Sequence, residues 1–140
     1  CRNLQTGTDF TGWEWSSYGT ESNTKRLGEM TSFFYNIKAT TLQGLETWDM
    51  TRIGNMKLMF AYATNFNDSS IANWDCSNCS NVSEMFTQGS PQQGHPEGKF
   101  NQDISTMKFP RITSASQRNE VFRRNEIENN TAFHPKWGKN

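Results

Sequence analysis

W-D-M-T-R-I-G-N-M-K-L-M-F at 48–60 overlays W-D-C-S-N-C-S-N-V-S-E-M-F at 74–86 without a gap. The offset is 26 residues, and it extends in both directions. Phe34, Phe60 and Phe86 keep it, as do Met30, Met56 and Val82, and again Leu27, Ile53 and Cys79. Leu45 precedes Trp48 by three residues, as Ile71 precedes Trp74. A third pass is longer: Ile104 and Met107 replace Ile71 and Trp74 after 33 residues, and Ile112 and Ala115 take the places of Cys79 and Val82, with Phe122 beyond. The extra length comes mainly from T-Q-G-S-P-Q-Q-G-H-P-E-G at 87–98, a Gly/Pro-rich insertion that reads as an exposed loop. Phe66 and Phe100 form one further column, each followed by Asn, and Phe133 closes it.

Each unit has two physical parts. Ile53, Met56, Met59 and Phe60 have apolar spacing 0, 3, 6, 7, one face of two helical turns. Leu27, Met30, Phe33, Phe34 and Cys79, Val82, Met85, Phe86 repeat that spacing, with Thr51 and Ser77 placed upstream as caps. The stretches Leu45–Trp48, Ile71–Trp74 and Ile104–Met107 read as short extended segments. Asp49 and Asp75 follow directly, where a carboxylate binds local amides and stops a strand. Asn67 and Asn101 fall where a corner needs its backbone groups satisfied.

A unit this short cannot bury its own apolar face, and about three must stack before a shared core is stable. The expected fold is therefore an α/β repeat solenoid, a short strand plus a short helix per coil, with three to four coils and end caps. One domain spans 1–140: an N-terminal cap over 1–26, repeats over 27–122 with the loop insertion 87–98, and a C-terminal cap over 123–140. Trp13, Trp15, Tyr18 and Trp137 are suitable lids.

Composition agrees with that geometry. Only 33% of the 140 residues are hydrophobic, and Leu, Ile, Val and Phe number 23, a level that often marks disorder. Disorder also calls for high net charge and few aromatics, whereas the formal charge is zero and aromatics reach 13%. Asn, Ser and Thr number 43, as a fold with a narrow core and many turns requires.

The zero charge is a cancellation. Residues 108–140 hold Lys108, Arg111, Arg118, Arg123, Arg124, Lys136 and Lys139 against Glu120, Glu126 and Glu128, leaving +4 there and −4 over 1–107. Two solvated ends account for this. A basic end that docks on something acidic also does, with Arg118, Arg123 and Arg124 as partner-binding candidates. Zero net charge gives no nucleic-acid footprint, and no apolar run approaches the roughly 20 residues of a membrane span.

The columns W-D-x-[ST]-x-x-x-N-[MV]-x-x-M-F followed by F-N-x-D-I-S resemble the repeat of BspA-like leucine-rich-repeat surface proteins. The clearest stretches are F-N-D-S-S-I-A-N-W-D-C-S-N-C-S-N-V-S-E-M-F at 66–86 and F-N-Q-D-I-S at 100–105. The likeness covers about 27–122. It implies a leucine-rich-repeat-like solenoid, a cell-surface or secreted setting, and interaction without catalysis; the family has no shared catalytic residues to carry over. Met107 in place of Trp, Phe109-Pro110 in place of a small polar pair, and about three residues inserted between Ala115 and Phe122 depart from it.

The repeat core is Leu27, Met30, Phe34, Leu45, Trp48, Ile53, Met56, Phe60, Phe66, Ile71, Trp74, Cys79, Val82, Phe86, Phe100, Ile104, Ile112 and Phe122. Cys76 and Cys79 form C-x-x-C, but zinc needs a second ligand pair and a thioredoxin-like site needs a βαβ unit, and neither is legible. In the family register Cys79 takes an inward aliphatic column and Cys76 a replaceable turn position. A disulfide from Cys1 to either is an alternative for which sequence supplies no proximity.

N-x-[ST] sequons begin at Asn67, Asn78, Asn81 and Asn129. Three lie inside the repeat, where Asn has structural work, so Asn129 is the glycosylation candidate in a eukaryotic secretory setting. A first residue Cys1 reads as a processed or trimmed product, or as the lipidated start of a bacterial lipoprotein. His95 and His134 read as solvated, and no nucleophile–base constellation, phosphate loop or paired carboxylates stand out.

The sequence therefore reads as a non-enzymatic, cofactor-free interaction or adhesion module binding another protein or surface macromolecule. The alternative is a small accessory or linker subunit of a large multiprotein assembly, in an organelle after processing. An enzyme is the third reading.

Overall fold

The structure, a computed structural model, describes residues 3–13 and 27–139. Cys1, Trp15 and Tyr18, and with them most of the expected N-terminal cap, lie outside the described residues. The chain makes successive passes that run side by side in the same direction. Strands β1 (Thr8–Asp9) and β3 (Leu42–Gln43) pair in parallel, as do β2 (Gly28–Glu29) with β4 (Ile53–Asn55) and β5 (Lys108–Phe109) with β6 (Lys136–Trp137). Single bridges Asn55–Asn81 and Gly98–Asn125 extend the same parallel order.

The segments expected to be helical are not. Among the described residues there is no α-helix, only short 3-10 turns such as Leu45–Thr47 and Ser69–Asn73. Residues 30–37, 56–63, 82–88 and 118–125 are runs of consecutive turns. In the first run the N–H groups of Met30, Ser32, Phe34 and Asn36 donate to Asn55, Lys57, Met59 and Ala61 of the next pass, at 2.8–3.0 Å. The N–H groups between them, on Phe33, Tyr35 and Ile37, donate three residues back. Met56, Leu58, Phe60 and Tyr62 likewise donate to Asn81, Ser83, Met85 and Thr87.

A two-turn helix would leave its first four N–H groups without internal partners. The turn run gives these N–H groups partners, at the cost of left-handed backbone. Ser32, Leu58, Glu84 and Glu120 all have φ of 51–59°, and Asn36, Tyr62 and Arg124 repeat it four residues on. Non-glycine residues there cost about 1–2 kcal/mol each, offset here by the bonds between passes. A four-residue turn period also returns Met30 and Phe34, or Met56 and Phe60, to the same side. Over eight residues that pattern is nearly indistinguishable from a helical one.

The core is a narrow file of large side chains. Phe34, Phe60 and Phe86 stack at 5.3 Å between successive centroids, and Phe86 to Phe122 is 5.8 Å. Phe66 and Phe100 stack alongside at 5.9 Å, each 4.2 Å from the Phe of its own pass. Every repeat-core residue named above is buried except Leu27, which is half-buried in the first full pass. Ile37, Leu42, Met50, Phe109 and Ile127 join the core without having been singled out by the period.

Other placements differ from expectation: the stretches 45–48 and 71–74, read as extended, carry the 3-10 turns Leu45–Thr47 and Ser69–Asn73 instead. Ala115 is exposed, and Arg118 takes the register of Val82, because residues 113–117 bulge outward. The Gln117 side chain closes that bulge by accepting from the Thr113 and Ser114 N–H groups. The insertion is exposed only in its middle: Thr87, Gln88, Gly89 and Gly98 are buried, and a 3-10 turn at Pro91–Gln93 forms its outer part. The terminal segments lie in the same parallel register as the repeats. Gly7 and Phe10 donate to Thr41 and Gln43, Ile127 to Phe100, and Lys136 and Gly138 to Met107 and Phe109. Trp13, 48% exposed, stacks on Trp48 at 6.3 Å.

Candidate functional site

The corners after Trp48 and Trp74 are each built by a carboxylate. Asp49 Oδ1 accepts from the Thr51 N–H at 3.0 Å and from its hydroxyl at 2.5 Å; Asp75 accepts from the Ser77 N–H at 3.0 Å. Asp9 with Thr11 and Asp103 with Ser105 repeat the motif. Bonds from the hydroxyl and amide partners hold the carboxyls of Asp9, Asp49 and Asp103 below the ordinary carboxylate value. These aspartates punctuate the backbone at its corners.

In register along the stack, Trp48-Asp49 and Trp74-Asp75 are followed by Met107-Lys108. Lys108 then sits opposite Lys136 in the β5–β6 pair. Both lysines are exposed, as are Arg111 and Lys139, three residues beyond each of them. The outer face thus changes sign, acidic at Asp49 and Asp75, basic at Lys108 and Lys136. An open groove of about 460 Å³ lies at that change, between residues 72–77 and 106–110. Asn73, Asp75, Ser77, Thr106 and Lys108 line it; Trp74 is buried beneath.

The three arginines expected to bind a partner each have a place within the fold. Arg118 lies over the Trp137 ring, 5.5 Å from its centroid, and Arg123 pairs with Glu120 at 3.0 Å. The Arg124 guanidinium donates to the carbonyls of Gly89 and His95, tying down the inserted arm, and the Arg124 backbone N–H donates to the Glu128 carboxylate. The histidines are half-buried rather than solvated. His95 sits edge-on to Tyr62 at 5.2 Å, and the His134 ring nitrogen lies 2.8 Å from the Ile127 carbonyl.

Cys76 and Cys79 are free thiols, and both are buried; Cys76, read as a replaceable turn position, joins the core cluster as Cys79 does. Burial pushes the Cys79 thiol up to about 11 and the Cys76 thiol well above its ordinary value. Neither is a thiolate near neutrality, the form that nucleophilic or ligating chemistry needs. Cys1 lies outside the described residues. Among the described residues no three His, Cys, Asp or Glu side chains gather as a metal site, and no helix is long and apolar enough to cross a membrane.

The sequons divide as their surroundings dictate. Asn67 Oδ1 accepts from the Asn101 N–H at 3.0 Å, Asn78 Nδ2 donates to Thr51, and Asn81 Oδ1 accepts from Ser83. Asn101 in turn accepts from Asn130, so the Asn column spans three passes. Asn129 is exposed. The juxtaposition of Lys108 and Lys136 was not legible in the sequence, although the likeness of M-K-F-P at 107–110 to P-K-W-G at 135–138 carried the signal.

No curated protein and no solved structure matches the chain. A family profile described as "Mycoplasma protein of unknown function, DUF285" matches residues 28–133, and this stack of parallel passes belongs to that family.

Proposed function

We propose that the chain is a solenoid of turns and short parallel strands that acts as a non-enzymatic interaction or adhesion module at a cell surface or in secreted form. The observation that carries the reading is the outward face of the stack. Short polar corners recur pass after pass on a rigid aromatic core, a regular platform on which recognition can be varied by side chain alone. The family match and the likeness to BspA-like repeats support it, and the finer kinship with those proteins is part of this proposal.

The change of sign along the stack favours a second reading, an accessory or linker subunit docked between unlike neighbours in a larger assembly. Labelled domain applied to cultured cells and to immobilised matrix proteins tests the first reading. Saturable binding, competed by unlabelled domain, supports it. Absence of saturable binding, or turnover of a substrate by the isolated domain, overturns it; an isolated chain that stays soluble and monomeric counts against the subunit reading.

A further inference from the structure

We infer that the cation array of the last two passes, with the groove beside it, is a binding site for a sulfated glycan chain. This deepens the interaction reading above and rests on it in taking the ligand to be a surface macromolecule.

Two separate observations support the inference. The first is electrostatic. Lys108 and Lys136 are direct neighbours in a parallel strand pair, where strands lie roughly 4.8 Å apart. Like charges opposite one another destabilise a pair, and no ion pair relieves them: the ion pairs among the described residues are Lys57–Glu84 and Arg123–Glu120. Arg111 and Lys139, each three residues beyond one of these lysines, are exposed as well. An anionic group spanning the lysines would remove the repulsion, so part of its binding energy comes from relief within the protein.

The second observation is the groove, which distinguishes among polyanions. Its wall offers Asn73, Ser77 and Thr106 as hydrogen-bonding groups and the Asp75 carboxylate as an acceptor. Asp75 Oδ1 is engaged by the Ser77 N–H, which leaves Oδ2 for a ligand. A sugar ring presents hydroxyl donors to such an oxygen, whereas phosphodiester presents none and is repelled. Single-stranded nucleic acid also wants exposed aromatic faces for stacking, and Trp74, the aromatic residue of this groove, is 3% exposed. Hydroxyls and sulfates on one polymer match an acceptor groove that opens onto a cation array.

The experiment uses a size-defined heparin octasaccharide and the full chain, with binding measured by calorimetry across a salt series. K108Q/K136Q should weaken binding by about tenfold and flatten the salt dependence, as loss of ionic contacts does. The charge-matched control K38Q/K99Q should bind as the unaltered chain does. Asp75→Asn keeps the Ser77 bond yet should also weaken binding, although it removes a negative charge. Equal losses in the two double variants, tighter or unchanged binding by Asp75→Asn, or equally tight binding of a duplex DNA of similar length would each overturn the inference. Should K108Q/K136Q bind cells as well as the unaltered chain does, the glycan site fails while the interaction reading stands. Should the unaltered chain bind no surface at all, the interaction reading fails first.

Discussion

Trp48 and Trp74 lie parallel to within 1°, their ring centroids 6.3 Å apart, and each indole N–H reaches a carbonyl of the preceding pass. Trp74 donates to Leu45 at 2.8 Å and Trp48 to Phe10 at 3.2 Å. One side chain therefore fills the core and also ties neighbouring passes together. The side chain of Met107, which follows in this column, fills the core but has no N–H to donate across to the preceding pass.

Trp74→Phe tests that double role. It removes ring area and one of the two donors to the Leu45 carbonyl, which keeps the Trp48 backbone N–H, a loss worth about 0.5–1.5 kcal/mol for the hydrogen bond alone. Urea unfolding should show a lower midpoint with an unchanged slope.

Phe60 is stacked between Phe34 and Phe86 and touches Phe66 within its own pass. Phe60→Ala should cost roughly 3–5 kcal/mol through lost transfer energy and the cavity left behind. A thermal unfolding midpoint within a degree of the unaltered chain would contradict a shared aromatic core.

Gly44 has φ of 88°, and a Cβ there would fall on the backbone of Thr11. Gly94 has φ of 78° with open space around it. Gly94→Ala should cost only the conformational penalty, about 1 kcal/mol, and Gly44→Ala distinctly more, because the 7–13 segment must move. Comparing the two unfolding free energies separates sterics from backbone preference.

The corner aspartates make stability fall in acid. Asp9, Asp49 and Asp103 have folded values below the ordinary 3.8, so their contribution is fully present above that value. It is lost as pH falls through the lowered values, where the folded chain must take up protons it otherwise excludes. Replacing all three by Asn keeps an acceptor for the turn amides. The variant should show a shallower fall of unfolding midpoint with pH below 3.8.

In the native chain Cys76 and Cys79 should react slowly with thiol reagents at neutral pH. Cys76 and Cys79 are buried and protonated, and Cys79 titrates only near 11. Labelling should track the opening rate and become fast in denaturant. Rapid labelling of these two thiols in the folded chain would show the second and third passes to be open.

The residue columns were legible because stacking demands the same side-chain type at the same place in every pass. Phe34, Phe60 and Phe86 can be aligned without coordinates, and all three are buried on one line. The sites were less legible, since the partners of Arg118 and Arg124 lie 19 and 29 or more residues away, in other passes.

By itself the sequence determined the period, the aromatic file and the Asn and Asp corners, each set by local chemistry repeated in place. Only the tertiary structure decided the backbone between those points. Ser32, Phe34 and Asn36 give their N–H groups to Lys57, Met59 and Ala61, so their conformation depends on a neighbouring pass that no eight-residue window contains. The same distance in sequence hid the array of cations. Lys108 and Lys136 are 28 residues apart along the chain, and the parallel pairing of β5 with β6 makes them neighbours.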